Sequence, residues 1–117
     1  MVKIYHNSRC SKSRGACEIL SDNEVQAEVI EYLKTRPTEQ EISELLRMLN
    51  MKASEIVRRG EDIFKSQYAG KNYSETEWLS ILAANPILIE RPIIIKGEKA
   101  IIGRPSGRIL EFLEQSG

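Results

Sequence analysis

The spacing of apolar residues predicts a β-α-β arrangement in the first third of the chain. Apolar and polar residues alternate over residues 2–6, which is the period of a β-strand. Turn-forming residues follow, and helical spacing then extends to about Leu20. Its apolar positions are Ala16, Cys17, Ile19 and Leu20. Residues 27–33 return to an approximately alternating pattern that favours a second strand.

Helical spacing dominates the middle third, where two capping boxes mark helix starts. Thr38 is followed by Glu41, and Ser74 by Glu77, at the spacing that lets each pair satisfy the first backbone N–H groups of a helix. Residues 53–59 predict a further short helix. The middle of the chain is therefore predicted as a helical insert.

In the last third of the chain, the spacing of apolar residues returns to a pattern typical of β-strands. Residues 92–95 and 99–102 are apolar runs on either side of Gly97, a pattern typical of a β-hairpin. Residues 104–107 predict a turn, and the spacing over 109–113 predicts a terminal helix. The order β-α-β, helical insert, β-β-α indicates an α/β fold, and the length fits a single domain over residues 1–117.

Composition narrows the classes of function. Lysine and arginine number 17, and aspartate and glutamate also number 17. This balance argues against a nucleic-acid or membrane-binding surface. The N-terminus has no secretory-signal pattern, and no apolar run approaches the roughly 18 residues that span a bilayer. We therefore expect a cytoplasmic protein with reduced thiols, and the single histidine argues against a metal site.

Cys10 is the main candidate for chemistry because it directly precedes the first predicted helix. Unpaired backbone N–H groups and the positive end of the helix dipole stabilise a thiolate there. The nearby basic residues Arg9, Lys12 and Arg14 act in the same direction, with His6 as a further candidate. The alternative is a buried structural cysteine without reactivity.

The second cysteine, Cys17, is placed for packing. On a helix it lies about 10 Å along the axis from Cys10, too far for a disulfide without unwinding. We expect Cys17 to be a small core residue rather than a resolving thiol. Because residue 13 is serine, the dithiol Cys-x-x-Cys pattern is absent. An external thiol is then expected to complete any cycle that Cys10 begins.

Several arginines suit the binding of a tetrahedral oxyanion by their permanent charge and fork geometry. They are Arg58, Arg59, Arg91 and Arg104. Periodicity alone leaves open whether they converge or are separate surface charges. Arg91 precedes Pro92, and such a bond before a strand is a candidate for the cis isomer.

Three motifs, in order along the chain, resemble those of the glutaredoxin-dependent arsenate reductases. IYHNSRCSKSR resembles the opening motif, and NPILIERPIII followed by IIGRPS resembles the C-terminal signature. The resemblance implies a thioredoxin-like (glutaredoxin-like) fold. That fold is a three-layer α/β/α domain with a mixed four-stranded sheet and a helical insert. Ser8 stands where the family commonly has proline, which we expect to affect loop stiffness more than chemistry.

The resemblance also implies roles for individual residues. Cys10 corresponds to the nucleophile, and His6 to the histidine associated with its activation. Ser13 and Arg14 correspond to the serine and arginine of the same motif. The implied oxyanion-binding residues are Arg58, Arg91 and Arg104, with Arg59 as an alternative to Arg58 because a shift of one residue exchanges them. Pro92 corresponds to the cis proline.

The implied reaction is reduction of arsenate to arsenite. Cys10 attacks arsenate, glutathione acts as co-substrate, and glutaredoxin reduces the mixed species, with no metal and no tightly bound cofactor. We expect a monomer without nucleic-acid or membrane partners. Two alternatives stay open. One is a thiol oxidoreductase of unknown substrate, and the other is a redox regulator of the same superfamily that binds RNA polymerase. Such regulators usually carry a Cys-x-x-Cys switch and lack the arginine that Arg104 supplies here.

Overall fold

The computed structural model describes residues 2–103 and 107–114. These residues fall into two compact units. The first contains the described residues up to Thr35 together with those from Arg91 onward, and the second is Arg36–Glu90. The single domain over residues 1–117 stays a prediction.

The first unit is built on a mixed four-stranded sheet in the order β2-β1-β3-β4. Its strands are β1 (Val2–Tyr5), β2 (Ala27–Ile30), β3 (Ile93–Lys96) and β4 (Lys99–Ile102). β1 is parallel to β2 and antiparallel to β3, and β4 is antiparallel to β3. The predicted β-α-β start, the C-terminal hairpin and the α/β class are therefore confirmed.

The helices follow the predicted order along the chain, except for a short one at Tyr32–Thr35, where a strand was predicted. They are α1 (Ser11–Asp22), α2 (Tyr32–Thr35), α3 (Glu39–Leu49), α4 (Glu75–Ala84) and α5 (Gly107–Glu114). Short segments of tighter or wider helix complete the set, and they are Ala53–Ile56, Phe64–Tyr68 and Pro86–Leu88. Among the described residues, no helix combines the length and the apolar character needed to cross a membrane.

One face of the sheet in the first unit packs against α1 and α5. Alternate strand residues point to this face, so one apolar side chain in two enters the core. The cluster consists of Val2, Ile4, Ala16, Leu20, Ile94, Ile109 and Phe112. Ala16 and Leu20 anchor α1 on the sheet. The start of α1, with the loop before it, is thereby held at the end of β1.

The second predicted strand, over residues 27–33, is too long. β2 ends at Ile30, and Tyr32 begins α2 instead. The Tyr32 side chain is fully buried, and its ring stacks on Tyr5 with centroids 5.9 Å apart. The Glu31 carbonyl accepts hydrogen bonds from the backbone N–H groups of Lys34 and Thr35. Burial of one aromatic ring thus overrides the local β propensity.

Both predicted capping boxes lie in the second unit and are confirmed. At α3 the Glu41 N–H donates to Thr38 Oγ1 at 3.1 Å, and the Thr38 N–H donates to Glu41 Oε1 at 3.0 Å. At α4 the Glu77 N–H donates to Ser74 Oγ at 3.1 Å, and the Ser74 N–H donates to Glu77 Oε1 at 2.9 Å. These side chains fix the starts of the two helices from local sequence alone.

We expect Thr38→Ala to lower the free energy of unfolding by about 1 kcal/mol, because one helix N–H group loses its acceptor. Chemical denaturation followed by circular dichroism measures this change. Ser43→Ala, at an exposed position inside α3, is the matched control. It should be neutral or slightly stabilising, since alanine has the higher helix propensity. Equal effects of the two substitutions would contradict the capping role.

The helix predicted over residues 53–59 is wrong beyond Ile56. Val57 is extended and pairs with Ile89 in an isolated antiparallel bridge. The Arg58 N–H donates to the Leu88 carbonyl at 2.7 Å, and the Glu90 N–H donates to the Ile56 carbonyl at 2.9 Å. These non-local bonds satisfy the backbone, so a local helix is not needed there.

Candidate active site

Cys10 is the N-cap residue of α1. Its backbone is extended (φ −97°, ψ 121°), and its carbonyl accepts the first helical hydrogen bond, from the Arg14 N–H at 3.0 Å. The Cys10 N–H donates in turn to the Asn7 carbonyl at 3.0 Å. The thiol therefore lies at the end of the helix where backbone N–H groups are unpaired and the dipole is positive.

The pKa of the Cys10 thiol is lowered. Partial burial by itself raises this pKa, but three groups that stabilise the thiolate outweigh burial. They are the backbone N–H groups of Ser13 and Lys12 and the guanidinium of Arg91, which acts both as hydrogen-bond donor and as positive charge. The thiolate, which is the nucleophilic form, is thus more populated near neutral pH than in an ordinary cysteine.

Arg91 is the basic side chain that the fold brings to Cys10. It is 6% exposed, which is unusual for an arginine, and it lies two residues before the start of β3. The bond between Arg91 and Pro92 is cis, the isomer that the resemblance implies. Burial strengthens the interaction of a guanidinium with a thiolate because little water screens the two charges.

His6 contacts Ser13 and Cys17. Its Nδ1 lies 2.8 Å from Ser13 Oγ and 3.5 Å from Cys17 Sγ. Among the described residues, His6 is not one of the groups that shift the pKa of Cys10. The structure therefore connects His6 to the nucleophile through Ser13, whose backbone N–H stabilises the thiolate.

The other basic residues near Cys10 in sequence have exposed side chains. Arg9, Lys12 and Arg14 are exposed, and Arg14 Nη1 donates to the Ser8 carbonyl at 2.9 Å. None of these three side chains is among the described groups that lower the pKa of Cys10, although the backbone N–H of Lys12 is. The sequence-based expectation that these side chains activate the thiol is not what the structure shows.

Cys17 differs from Cys10 in its environment. It packs against the core cluster of the first unit, and burial raises the pKa of its thiol. The two cysteines are both thiols and are not joined in a disulfide. Cys17 is therefore the less reactive of the two near neutral pH.

Arg58 and Arg59, both in the second unit, have different partners. Arg58 Nε donates to Glu61 Oε2 at 3.2 Å, and its Nη1 lies 3.9 Å from Glu90 Oε1. Arg59 is exposed and lies over aromatic rings, with its Cζ 5.3 Å from the Phe64 centroid. Arg58 is thus held by carboxylates, and Arg59 by a cation–π contact. Arg104, the third predicted oxyanion ligand, lies outside the described residues.

Asn7 is a candidate that the sequence interpretation missed. It is 6% exposed, and its Oδ1 accepts a hydrogen bond from the Arg9 N–H at 3.0 Å. This is the geometry of an Asx-turn, which an asparagine in a run of turn formers between a strand and a helix could have indicated. In the described part of the chain, no group of three or more His, Cys, Asp or Glu side chains could hold a metal ion.

Comparison with known proteins places this geometry in a family. The chain matches the ArsC family over residues 5–112. It is 42% identical to the uncharacterised protein YfgD of Escherichia coli (strain K12) over 114 residues, which cover 96% of each chain. It is 36% identical to an arsenate reductase of Neisseria meningitidis serogroup A over 106 residues, covering 89% of this chain and 91% of the relative.

The fold agrees with that assignment. The structure of an arsenate reductase from Vibrio cholerae superposes with a TM-score of 0.89 at 35% identity, covering 94% of this chain and 95% of that one. The part of the chain that matches the ArsC family includes the loop that carries Cys10 and the segment that carries Arg91. The thioredoxin-like fold that the motifs implied is thereby confirmed, and the chain belongs to the arsenate reductase (ArsC) family.

Proposed function

We propose that this chain reduces arsenate to arsenite with Cys10 as the nucleophile. The observation that carries the proposal is the position of Cys10 at the N-cap of α1, where two backbone N–H groups and the buried guanidinium of Arg91 lower its pKa. A thiolate beside a fixed positive charge is suited to attack an anionic substrate, because the same charge offsets that of the incoming oxyanion.

The proposed reaction begins when the Cys10 sulfur bonds to arsenic and one arsenate oxygen leaves as water after taking up protons. Glutathione supplies a second thiol, which forms a disulfide with the Cys10 sulfur as the sulfur–arsenic bond breaks. Arsenic receives the two electrons, and arsenite leaves. Glutaredoxin and a second glutathione then reduce the mixed disulfide. Overall, one arsenate and two thiols give arsenite, one disulfide and one water.

The remaining residues have proposed roles that follow the family motif. Arg91 stabilises first the thiolate and then the oxyanion. Arg58 and Arg104 are assigned to the same oxyanion. Arg59 is the alternative to Arg58, and each already has partners in the second unit: aromatic rings for Arg59 and carboxylates for Arg58. His6, Ser13 and Arg14 organise the loop around the nucleophile.

We propose that the partners are small or protein thiols. Cys17 is poorly suited to resolve the intermediate, since burial raises its pKa and its sulfur contacts His6. An external thiol such as glutathione, with glutaredoxin, meets this need without a tightly bound cofactor. Such a cycle requires a compartment where thiols stay reduced, which supports a cytoplasmic location. We propose that the chain acts as a monomer.

A coupled assay tests this function. Purified protein is mixed with arsenate, glutathione, glutaredoxin, NADPH and the reductase that regenerates glutathione, and NADPH oxidation is followed. We expect oxidation that depends on arsenate and on this chain. No arsenate-dependent oxidation would contradict the proposal. Turnover of a glutathione mixed disulfide without arsenate turnover would instead favour the thiol oxidoreductase.

A further inference from the structure

The loop between β1 and α1 is organised around Asn7. Three of its polar groups bond within the loop and the first turn of α1. Its N–H donates to Ser13 Oγ at 3.0 Å, its carbonyl accepts from the Cys10 N–H at 3.0 Å, and its Oδ1 accepts from the Arg9 N–H at 3.0 Å. At 6% exposure, Asn7 is one of the buried polar residues of the chain.

The bond from Asn7 to Ser13 connects the loop to the helix. Ser13 is fully buried, and its hydroxyl also contacts His6 Nδ1 at 2.8 Å. Because the Asn7 N–H occupies one acceptor position of this hydroxyl, the hydroxyl hydrogen can point to His6. A displacement of Asn7 would therefore disturb both the histidine and the helix turn below Cys10.

The Asn7 side chain performs a part that most residues could not. Its two backbone bonds are available to any residue except proline, but the bond to the Arg9 N–H requires a short side chain with an acceptor. That bond closes the turn immediately before Cys10. The position of the sulfur over the N–H groups of Lys12 and Ser13 depends on how this turn is closed.

We propose that Asn7 is a positioning residue for the nucleophile: its side chain fixes the turn that seats Cys10 over the first N–H groups of α1. This inference rests on the proposed function for its catalytic meaning, although its geometry stands without it. Asn7 acts only through Cys10 and the loop, and it has no assigned contact with arsenate. The charged group that faces Cys10 from the segment before β3 is Arg91, which the Asn7 substitutions leave in place.

Substitution of Asn7 tests the proposal by the pH dependence of Cys10 alkylation. The rate of reaction with iodoacetamide rises with pH as the thiolate forms, so a lowered pKa places the midpoint below that of an ordinary thiol. The assay uses Cys17→Ser as background, so that only Cys10 reacts. We expect Asn7→Ala to move the midpoint to higher pH. We expect the midpoint of Asn7→Ser to lie between those of Asn7→Ala and the background protein, because a serine hydroxyl closes the same turn more weakly.

Ser8→Ala is the matched control in the same loop. Ser8 is exposed and takes part through its backbone carbonyl, which accepts from Arg14 and is retained by alanine. It should leave the midpoint unchanged. A second comparison measures the alkylation midpoint in Asn7→Ala, in Ser13→Ala and in the protein that carries both substitutions. If the double substitution shifts the midpoint by less than the sum of the two single shifts, the two residues act through one loop.

Three outcomes decide the inference separately from the proposed function. A raised midpoint in Asn7→Ala, with a melting temperature close to that of the background protein, supports it even if arsenate is not turned over. An unchanged midpoint in Asn7→Ala overturns it even if arsenate is turned over. Equal midpoints for Asn7→Ala and Asn7→Ser overturn the claim that the side-chain acceptor matters.

Discussion

Cys10→Ser is expected to abolish arsenate reduction, with a loss on the order of 10³-fold or more in kcat. The groups around Cys10 stabilise a thiolate, and a serine hydroxyl does not ionise near neutral pH even with this help. In the proposed cycle the sulfur is also the atom that becomes oxidised, so oxygen cannot replace it. The coupled NADPH assay measures the loss directly.

Cys17→Ser is the matched control for this substitution. It makes the same chemical change on the same helix, at a thiol whose pKa is raised rather than lowered. We expect its rate to stay within about twofold of the unsubstituted chain, the range of a surface or mildly perturbing change. A loss of activity in Cys17→Ser as large as in Cys10→Ser would contradict an external resolving thiol.

The features that the sequence predicts correctly are those fixed by local interactions. The capping boxes at Thr38 and Ser74 form because both partners lie within one helical turn. The position of Cys10 is similarly local, since it depends only on where β1 ends and α1 begins. Patterns of this kind are readable because the physical cause and the residues that show it are neighbours in the chain.

The features that the sequence predicts wrongly depend on partners that are distant along the chain. Tyr32 leaves the predicted strand because its ring packs against Tyr5. Val57 is extended because residues that follow much later supply its bridge partner, Ile89. In both cases tertiary contacts decide between local conformations of similar energy, which periodicity cannot register.

In the candidate site, too, the sequence predicts what neighbouring residues determine and misses what distant residues or burial determine. Sequence reasoning places positive charge near Cys10 but assigns it to the adjacent basic residues, whereas the fold supplies it from Arg91. The three motifs identified Arg91 only by resemblance. Asn7 was missed because its importance comes from near-complete burial, and turn-forming composition gives no measure of burial.

Arg91→Gln is expected to lower kcat/KM for arsenate by about 100-fold, the scale seen when one donor to a developing oxyanion is removed. Glutamine keeps much of the side-chain volume but removes the charge, so the pKa of Cys10 should rise toward that of an ordinary thiol. The kcat/KM of Arg91→Lys should lie between the values for the unsubstituted chain and Arg91→Gln, because lysine retains the charge without the planar fork. Arg9→Gln is the control for charge alone, since Arg9 is exposed and does not shift the pKa of Cys10.

The pH profile separates a loss of charge in Arg91→Gln from a loss of structure. The thiolate is the reacting form, so a raised pKa moves the rise in the Cys10 alkylation rate to higher pH. Above the pKa values of both proteins the thiol is ionised in each, and the rate in Arg91→Gln should equal or exceed that of the unsubstituted chain, because a more basic thiolate is the stronger nucleophile. Thermal unfolding gives the second test, because a variant that has lost its structure would not unfold in a cooperative transition near the melting temperature of the unsubstituted chain. A midpoint unchanged by Arg91→Gln would mean that the two backbone N–H groups of α1 stabilise the thiolate alone.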